Sequence, residues 1–332
     1  MEKKIRMADI AEKLGISVVS VSKALSGKDG VSEEMRERIL ELAKEMGYVP
    51  LRSKPQKENK PVESGNIGIL VADRFFADST FYSNLYRQLL MKCNDIGFSA
   101  LLEIVSVEAE RNCTLPAMVT GGKVDGIIFM GEISREYLKN VVQSGLPYML
   151  LDFYDEALDA DGVTSDNVTG GYSLAKHILE SGRKEIGFVG SIHATSSIMD
   201  RFLGYTKAML RAGEHVNMEW ILEDRDFEGN FIPIQLPDRM PQAFICSCDE
   251  VAYNLVETLK KAGYRVPEDV AVAGYDDFQF AQICDPQLTT YRVNVEEMGM
   301  MVVKQMVYRI RGKHITRGNI VVKGDFVQRQ ST

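Results

Sequence analysis

From Asn66 onward, apolar runs of strand length alternate with stretches of helical period, and no other feature narrows the fold of this chain as much. IGILVA precedes a helical stretch from about Thr80 to Ile96. SALLEIV, a helix from about Glu108, GIIFM, a helix from Arg135 and YMLLD follow. After a helix over Gly170–Ser181 the pattern restarts with IGFVG, the helix Ser196–Ala212, AFICSC, the helix Glu250–Ala262 and VAVAGYDD. LTTYRV, the helix Glu296–Ile310 and a final strand IVVKGDFV close the chain. Strands that alternate with helices form parallel sheets with helices on both faces. The midway restart predicts an α/β core of two doubly wound parallel-sheet subdomains. Ligands in such folds bind beyond the carboxyl ends of the strands. Ala72, Asp73, Asp152, Asp249, Asp276 and Asp277 stand there.

The first 50 residues read differently, as three short helices. Met7, Ile10, Ala11 and Leu14 follow the i, i+3, i+4, i+7 spacing of one helix face. Gly15 permits a tight turn, and Ser17 can cap a second helix, Val18–Leu25, that turns Val21, Ala24 and Leu25 inward. Ser32 caps a third, which has Glu33 and Glu34 at the positive end of its dipole and Met35, Ile39, Leu42, Ala43 and Met46 on its buried side. Two short helices across a glycine turn, followed by a third, make a helix-turn-helix unit whose second helix enters the major groove. Val18, Val19, Ser22 and Lys23 would then face outward, with the valines suited to thymine methyls and Lys23 to guanine acceptors. A small helical domain that binds protein is the competing reading of the same pattern.

Charge favours the first. The whole chain carries a formal −8, which taken alone argues against a polyanionic partner. Its first 60 residues, however, hold 13 Lys+Arg against 10 Asp+Glu, which leaves 26 against 37 for the rest. The stretch 51–65, LRSKPQKENKPVESG, has two prolines and almost no apolar residue, and so reads as a basic linker. Lys3, Lys4 and Arg6 before the helices, with Arg52, Lys54, Lys57 and Lys60 after them, are candidate phosphate contacts. The predicted division is 1–50, a helix-turn-helix DNA-binding domain; 51–65, linker; and 66–332, a core of two subdomains.

Other classes fall away. No apolar run reaches the length of a membrane span, and MEKKIRMADIAEKLG lacks the apolar stretch of a secretion signal. Cys93, Cys113, Cys246, Cys248 and Cys284 show no disulfide or metal spacing, as expected of reduced thiols in a cytoplasmic protein. No nucleophile elbow, phosphate loop, dinucleotide fingerprint or zinc-protease motif occurs, and His177, His193, His215 and His314 are scattered. The expectation is no catalytic residue, no cofactor and no metal.

MADIAEKLGISVVSVSKALSGKDGVSEEMRERILELAKEMGYVP closely resembles the headpiece of the lactose/galactose-repressor (LacI/GalR) family of transcription regulators. The core continues the match through DNVTGGYSLAKHILESGRKEIGFVG, DRFLGYTKAML, CDEVAYNLVETLKKAGYRVPEDVAVAGYDD, PQLTTYRV and FVQRQST, so the resemblance covers essentially the whole chain. It implies a homodimeric repressor on a pseudo-palindromic DNA operator, with a core like that of periplasmic binding proteins. A small-molecule effector, here expected to be a sugar, would sit between the two core subdomains, and no membrane would be involved. The resemblance assigns operator reading to Val18, Val19 and Lys23; Ser17 and Ser22 beside them, and the basic Arg6, Lys28, Arg52 and Lys54, complete the candidate DNA-binding residues. It also implies a hinge helix after Tyr48 and Pro50, with a leucine that wedges into the minor groove. Here Lys57 occupies the wedge position and Pro55 interrupts the helix, so neither an ordinary hinge helix nor a leucine-driven kink is expected.

For the effector, the resemblance points to Asp73, the aromatic pair Phe81–Tyr82, Asp152, Arg201 in DRFLGY, Phe227, the pair Cys248–Asp249, and Asp276 of GYDD. Carboxylates and an arginine fork match the hydroxyls of a sugar, and aromatic faces cover its C–H patches. Asp249 is expected to cap the helix that follows it, and ranks below Arg201 and Asp276. Cys248 stands where the family often has an amide, which leaves a nucleoside or another metabolite open beside a sugar. Rival classes are an enzyme, an extracytoplasmic solute receptor and a regulator that senses a protein corepressor.

Overall fold

The computed structural model describes residues 7–25, 30–46, 65–76, 80–158, 160–226, 228–313 and 318–332. The chain divides into two compact units, Met1–Val62 and Glu63–Thr332. Arg6, Lys28, Arg52, Lys54 and Phe227, together with the linker expectations on Pro55 and Lys57, lie outside the described residues.

The first unit contains α1 (Met7–Leu14), α2 (Val18–Leu25) and α3 (Glu33–Glu45). Ile10 and Ala11 of α1, Val21 and Ala24 of α2, and Ile39 and Ala43 of α3 are buried together, the set that the helical spacing selects. Ser17 Oγ accepts the Ser20 amide at 3.0 Å and so caps α2, while Ser32 Oγ accepts the Met35 amide at 3.4 Å before α3. The Arg36 guanidinium donates to the Ala24 carbonyl at 3.3 Å, which ties α3 to the exposed carbonyl end of α2.

In the second unit, β1 (Asn66–Ala72), the short α4 (Asp73–Phe76), α5 (Thr80–Asp95), β2 (Ser99–Val105), α6 (Val107–Arg111), α7 (Ala117–Thr120), β3 (Gly126–Met130), α8 (Arg135–Val142), β4 (Tyr148–Leu151) and β5 (Gly162–Ser165) build the first subdomain. The chain then crosses to the second subdomain through α9 (Asn167–Glu180), β6 (Ile186–Val189), α10 (Ser196–Ala212), β7 (Ile221–Leu222), β8 (Ala243–Cys246), α11 (Asp249–Lys261), β9 (Ala271–Ala273), α12 (Gln279–Ile283) and β10 (Thr290–Arg292). It returns to the first with α13 (Val295–Ile310) and β11 (Asn319–Val322), and ends on β12 (Asp325–Val327).

Two sheets result, a six-stranded β11-β5-β4-β3-β1-β2 and a four-stranded β7-β6-β8-β9. Every strand pair within them is parallel; β10 and β12 form a separate antiparallel ribbon. Both sheets are sandwiched. Ile67, Ile69 and Val71 of β1 pack with Leu85 and Leu89 of α5 and with Val302 and Met306 of α13. On the opposite face, Leu70 and Phe129 meet Tyr137 and Val141 of α8. In the second sheet Phe188 and Ile245 face Leu174 of α9 and Tyr205 of α10, while Phe244 and Cys246 face Leu255 of α11. Strands buried on both faces explain why the sequence showed continuous apolar runs rather than alternation.

Two expectations need correction. The helix predicted from about Glu108 is two short ones: α6 stops at Arg111, Cys113 turns into positive φ (51°), and Pro116, which has no N–H to donate, stands at the cap of α7. The final strand IVVKGDFV is also two. Its first half pairs with β5 in the first subdomain. At Gly324, whose amide donates to Tyr291 Oη at 3.1 Å, the chain turns to pair with β10.

Candidate functional site

The carboxyl ends of β1, β4, β6, β8 and β9 open onto one cleft in the second unit. Its walls include Phe81, Tyr82, Asp152, Arg201, Cys248, Asp249 and Asp276, all among the residues expected from sequence. Asp73 is different: it is exposed and does not line the cleft, because the turn α4 that it starts directs its neighbours Arg74 and Phe75 inward instead.

Asp152 follows β4 with positive φ (70°), and Asp276 follows β9 with φ of 113°. Such conformations strain a residue with a side chain and collect at functional sites. Each presents a buried carboxylate. Asp152 Oδ2 accepts Tyr82 Oη at 2.9 Å, while its Oδ1 is buried without a hydrogen-bond partner among the described residues. Asp276 Oδ1 is equally orphaned; it stands 3.6 Å from Arg201 Nη2, an ion pair too long for a hydrogen bond. Burial raises Asp152 to about 6 against the pull of Arg201, and raises Asp276 to about 7. Buried acceptors without donors are costly, and a ligand rich in hydroxyls supplies what is missing.

Arg201 is held from three sides. Its Nε donates to Asn167 Oδ1 at 2.9 Å and its Nη1 to the Ser247 carbonyl at 2.5 Å. Its guanidinium lies 3.8 Å from the centre of the Tyr275 ring. These contacts leave Nη2 directed at Asp276, so the fork arrives in the cleft already oriented.

Asp249 does not cap α11. Cys248 occupies the cap position, with extended backbone and no side-chain capping bond. The Asp249 carboxylate instead accepts Thr290 Oγ1 at 2.6 Å and the Phe278 amide at 3.1 Å, and burial raises its pKa well above the usual range. It therefore clamps the loop that carries Asp276 rather than offering free acceptors. Burial pushes the Cys248 thiol up to about 12, which keeps it neutral.

Sequence reasoning missed Arg74, Phe75, Thr195, Ser197, Arg225, Phe231, Phe278 and Phe280 in the walls. Arg225 matters most. Its side chain is 12% exposed, its guanidinium stands 4.9 Å from the Phe231 ring centre, and its Nη2 is 3.4 Å from Asp224 Oδ2. Among the described residues, that guanidinium donates no hydrogen bond.

In the first unit, Val18 and Val19 of α2 are 46% and 64% exposed. Ser22 is exposed beside them and Lys23 half-buried. Ser17 is exposed too, but its hydroxyl serves the cap and lies 2.9 Å from Ser20 Oγ. The exposed start of α2 thus presents Val18, Val19 and Ser22 to solvent, where the sequence places the operator-reading residues.

Two family profiles match the chain. "Bacterial regulatory proteins, lacI family" covers residues 6–51, and "Periplasmic binding protein-like domain" covers residues 175–332. The ribose operon repressor of Haemophilus influenzae is 27% identical over 329 residues, 98% of both chains. The transcriptional repressor CytR of Escherichia coli is 28% identical over 333 residues, 98% of this chain and 96% of that one. Among solved structures, the regulator CelR in complex with cellobiose superposes with a TM-score of 0.72 at 23% identity, covering 99% and 100% of the two chains. The lac repressor dimer bound to operator superposes at 0.67 and 20%, covering 99% of each; at these identities the likeness is one of fold. With a helix-turn-helix unit and a two-subdomain cleft matched in the same order along nearly the full length, the chain belongs to the LacI family of bacterial regulatory proteins.

Proposed function

We propose that this chain is a cytoplasmic transcriptional repressor whose affinity for operator DNA is set by a small polyhydroxylated molecule, a sugar ring above all, bound in the cleft of its core. The observation that carries the reading is the pair of orphaned carboxylate oxygens of Asp152 and Asp276 in a cleft that also holds the oriented Arg201. Vicinal hydroxyls donate to the carboxylates and accept from the guanidinium, while Phe81, Tyr82 and Phe278 cover apolar ring faces. On the DNA side, Val18 and Val19 would contact thymine methyls and Lys23 a guanine edge, in a homodimer that places two heads on a pseudo-palindromic site. Arg6, Lys28, Arg52 and Lys54 would hold phosphates. The chain would bind its effector without transforming it; turnover of a bound sugar would overturn that part.

Arg201→Ala is the decisive variant. Operator binding measured by fluorescence anisotropy should persist, while the response to effector is lost at concentrations that saturate the wild type. A variant that still responds at wild-type concentrations would show that the effector lies elsewhere.

A further inference from the structure

Asp276 is held in the cleft by residues that lie outside it. The turn 274–277 (GYDD) carries two consecutive aspartates at positive φ, 113° for Asp276 and 61° for Asp277. Neither has the freedom of glycine, and such strain persists only where the surroundings over-determine it. Two sets of contacts do so. The first acts on the backbone of Asp276. Its amide donates to the Tyr291 carbonyl at 2.9 Å, and its carbonyl accepts the Val293 amide at 3.2 Å. Tyr291 belongs to β10, and Val293 stands where the chain leaves the second subdomain for α13.

The second set acts on Asp277, whose side chain is 3% exposed. Its Oδ2 accepts Arg292 Nε at 2.7 Å, and its Oδ1 accepts Arg329 Nη2 at 2.5 Å. Arg329 is anchored in turn. Its Nη1 donates to the Leu288 carbonyl at 2.8 Å, and its amide donates to Thr289 Oγ1 at 3.0 Å. Two residues on, the buried Ser331 hydroxyl donates to the Val272 carbonyl at 2.6 Å and accepts the Thr289 amide at 2.8 Å. The segment after β12 is thereby laced to β9, the strand that runs into the turn. A guanidinium that bonds a carboxylate and a carbonyl at once fixes both in one geometry.

We propose that Asp277 and Arg329 are positioning residues for the effector: through the backbone of the turn they aim the Asp276 carboxylate, and neither touches the ligand. The inference rests on the reading that Asp276 receives effector hydroxyls, and adds what holds it there. Neither Asp277 nor Arg329 lines the cleft. Arg329 supplies the firmer hold, because its side chain is 15% exposed against 53% for Arg292. Groups that contact a ligand keep a productive geometry only when their supports are locked, and this clamp is the support. Asp249 holds the far end of the turn at Phe278, so loss of Arg329 loosens the turn without releasing it. Arg292 remains to pair Asp277, so that loss leaves no bare buried charge.

The test compares the full wild-type chain with Arg329→Met, Arg329→Lys, Asp276→Asn and the double variant Asp276→Asn/Arg329→Met. Methionine keeps the apolar stem and removes the fork, lysine restores the charge, and asparagine keeps one acceptor oxygen. Hydrogen exchange without ligand, read by mass spectrometry, reports on the turn. Calorimetry with ribose, glucose, cellobiose and cytidine reports on affinity, and the tightest of the four is followed. Arg329→Met should speed exchange over residues 274–278 and at 293, and weaken binding roughly tenfold; Arg329→Lys should recover most of both. In the Asp276→Asn background the same methionine should weaken binding by no more than about twofold, since the carboxylate it aims is gone. A residue that only stabilises the fold would act equally in both backgrounds. Equal losses in the two, or exchange of the turn unchanged by Arg329→Met, would overturn the inference and leave the effector reading of Asp276 standing. Asp276→Asn that binds like the wild type would overturn that reading and the inference with it. The exchange measurement needs no ligand, so the clamp can fail there even where none of the four compounds binds. If Arg329→Met does not fold, Arg292→Met enters the same cycle with an expected loss of about threefold.

Discussion

At the residue scale, the cleft is a problem in proton balance. Asp152 and Asp276 are raised to about 6 and about 7 because burial strips water from their charged forms, and Arg201 recovers only part of the loss. A carboxyl with a native pKa above its ordinary value binds more protons folded than unfolded. Its contribution to stability is therefore present at low pH and is lost as pH rises through 6 and 7. Ligand hydroxyls reverse the balance. In the proposed effector site they would donate to the carboxylates, favour the charged forms and expel protons on binding. Effector affinity should thus rise with pH, by roughly tenfold per unit for each proton released, and level off near pH 8. The other charged groups that act on these two, Arg225, Glu132 and Glu250, leave the sign unchanged. Calorimetry in buffers of different ionisation enthalpy counts the protons, and Asp276→Asn should release one fewer. Affinity that stays flat from pH 5.5 to 8 would refute the scheme. Asp152 and Asp276 were legible in the sequence, because both follow apolar strand runs that fix where the sheet ends. Arg225 and Phe231 were not. They sit on an irregular segment positioned by long-range bonds from Asp224 to the Ser191 amide (2.8 Å) and Ser247 Oγ (2.7 Å), which no local pattern announces.

At the element scale, α9 and α10 form the packed pair on which the cleft arginine rides. A Cβ on Gly171 would stand 2.1 Å from the Arg201 carbonyl oxygen, and one on Gly204 would stand 2.2 Å from that of Val168. The obstacles are backbone atoms, so no side chain can swing aside. Gly171→Ala should then cost about 1–3 kcal/mol of stability through forced separation of the helices. It should also weaken effector binding, because the displaced backbone carries Arg201. Thermal unfolding and calorimetry on one preparation test both parts, and an unchanged melting temperature would refute the packing account. α9 and α10 were read nearly to their ends from periodicity, although α9 begins at Asn167, where Asp166 Oδ1 accepts the Thr169 amide at 3.1 Å. β5 (GVTS) and β7 (two residues) escaped notice, because each is too short or polar to stand out from loop. The return of α13 and β11 to the first sheet could not be read either, since element order along a chain does not say which of two sheets a late strand joins.

At the scale of the whole molecule, the net charge of −8 conceals a division of labour. The first 60 residues carry 13 basic against 10 acidic groups, the remainder 26 against 37. The net-basic head and the stretch after it favour a polyanion, whereas the net-acidic core disfavours nonspecific wrapping of DNA. Binding to operator should then behave as a set of phosphate contacts supplied by a short basic segment, twice over in a dimer. For 6–10 such contacts, affinity falls by about 10³–10⁵ between 50 and 200 mM salt. If, as proposed, the basic residues of LRSKPQKENK take the place of the leucine wedge common in the family, they should supply much of that slope. Replacing Arg52 and Lys54 with Gln in both protomers frees up to four phosphates from their cationic partners. It should flatten the slope of log affinity against log salt by roughly one for each phosphate so freed, about equally for operator and random DNA. Preference for operator over random sequence, proposed above to rest on Val18, Val19 and Lys23, should stay within a few-fold of the wild type. An unchanged salt slope would place the phosphate contacts elsewhere in the chain, and a collapse of operator preference would mean that this segment reads sequence after all.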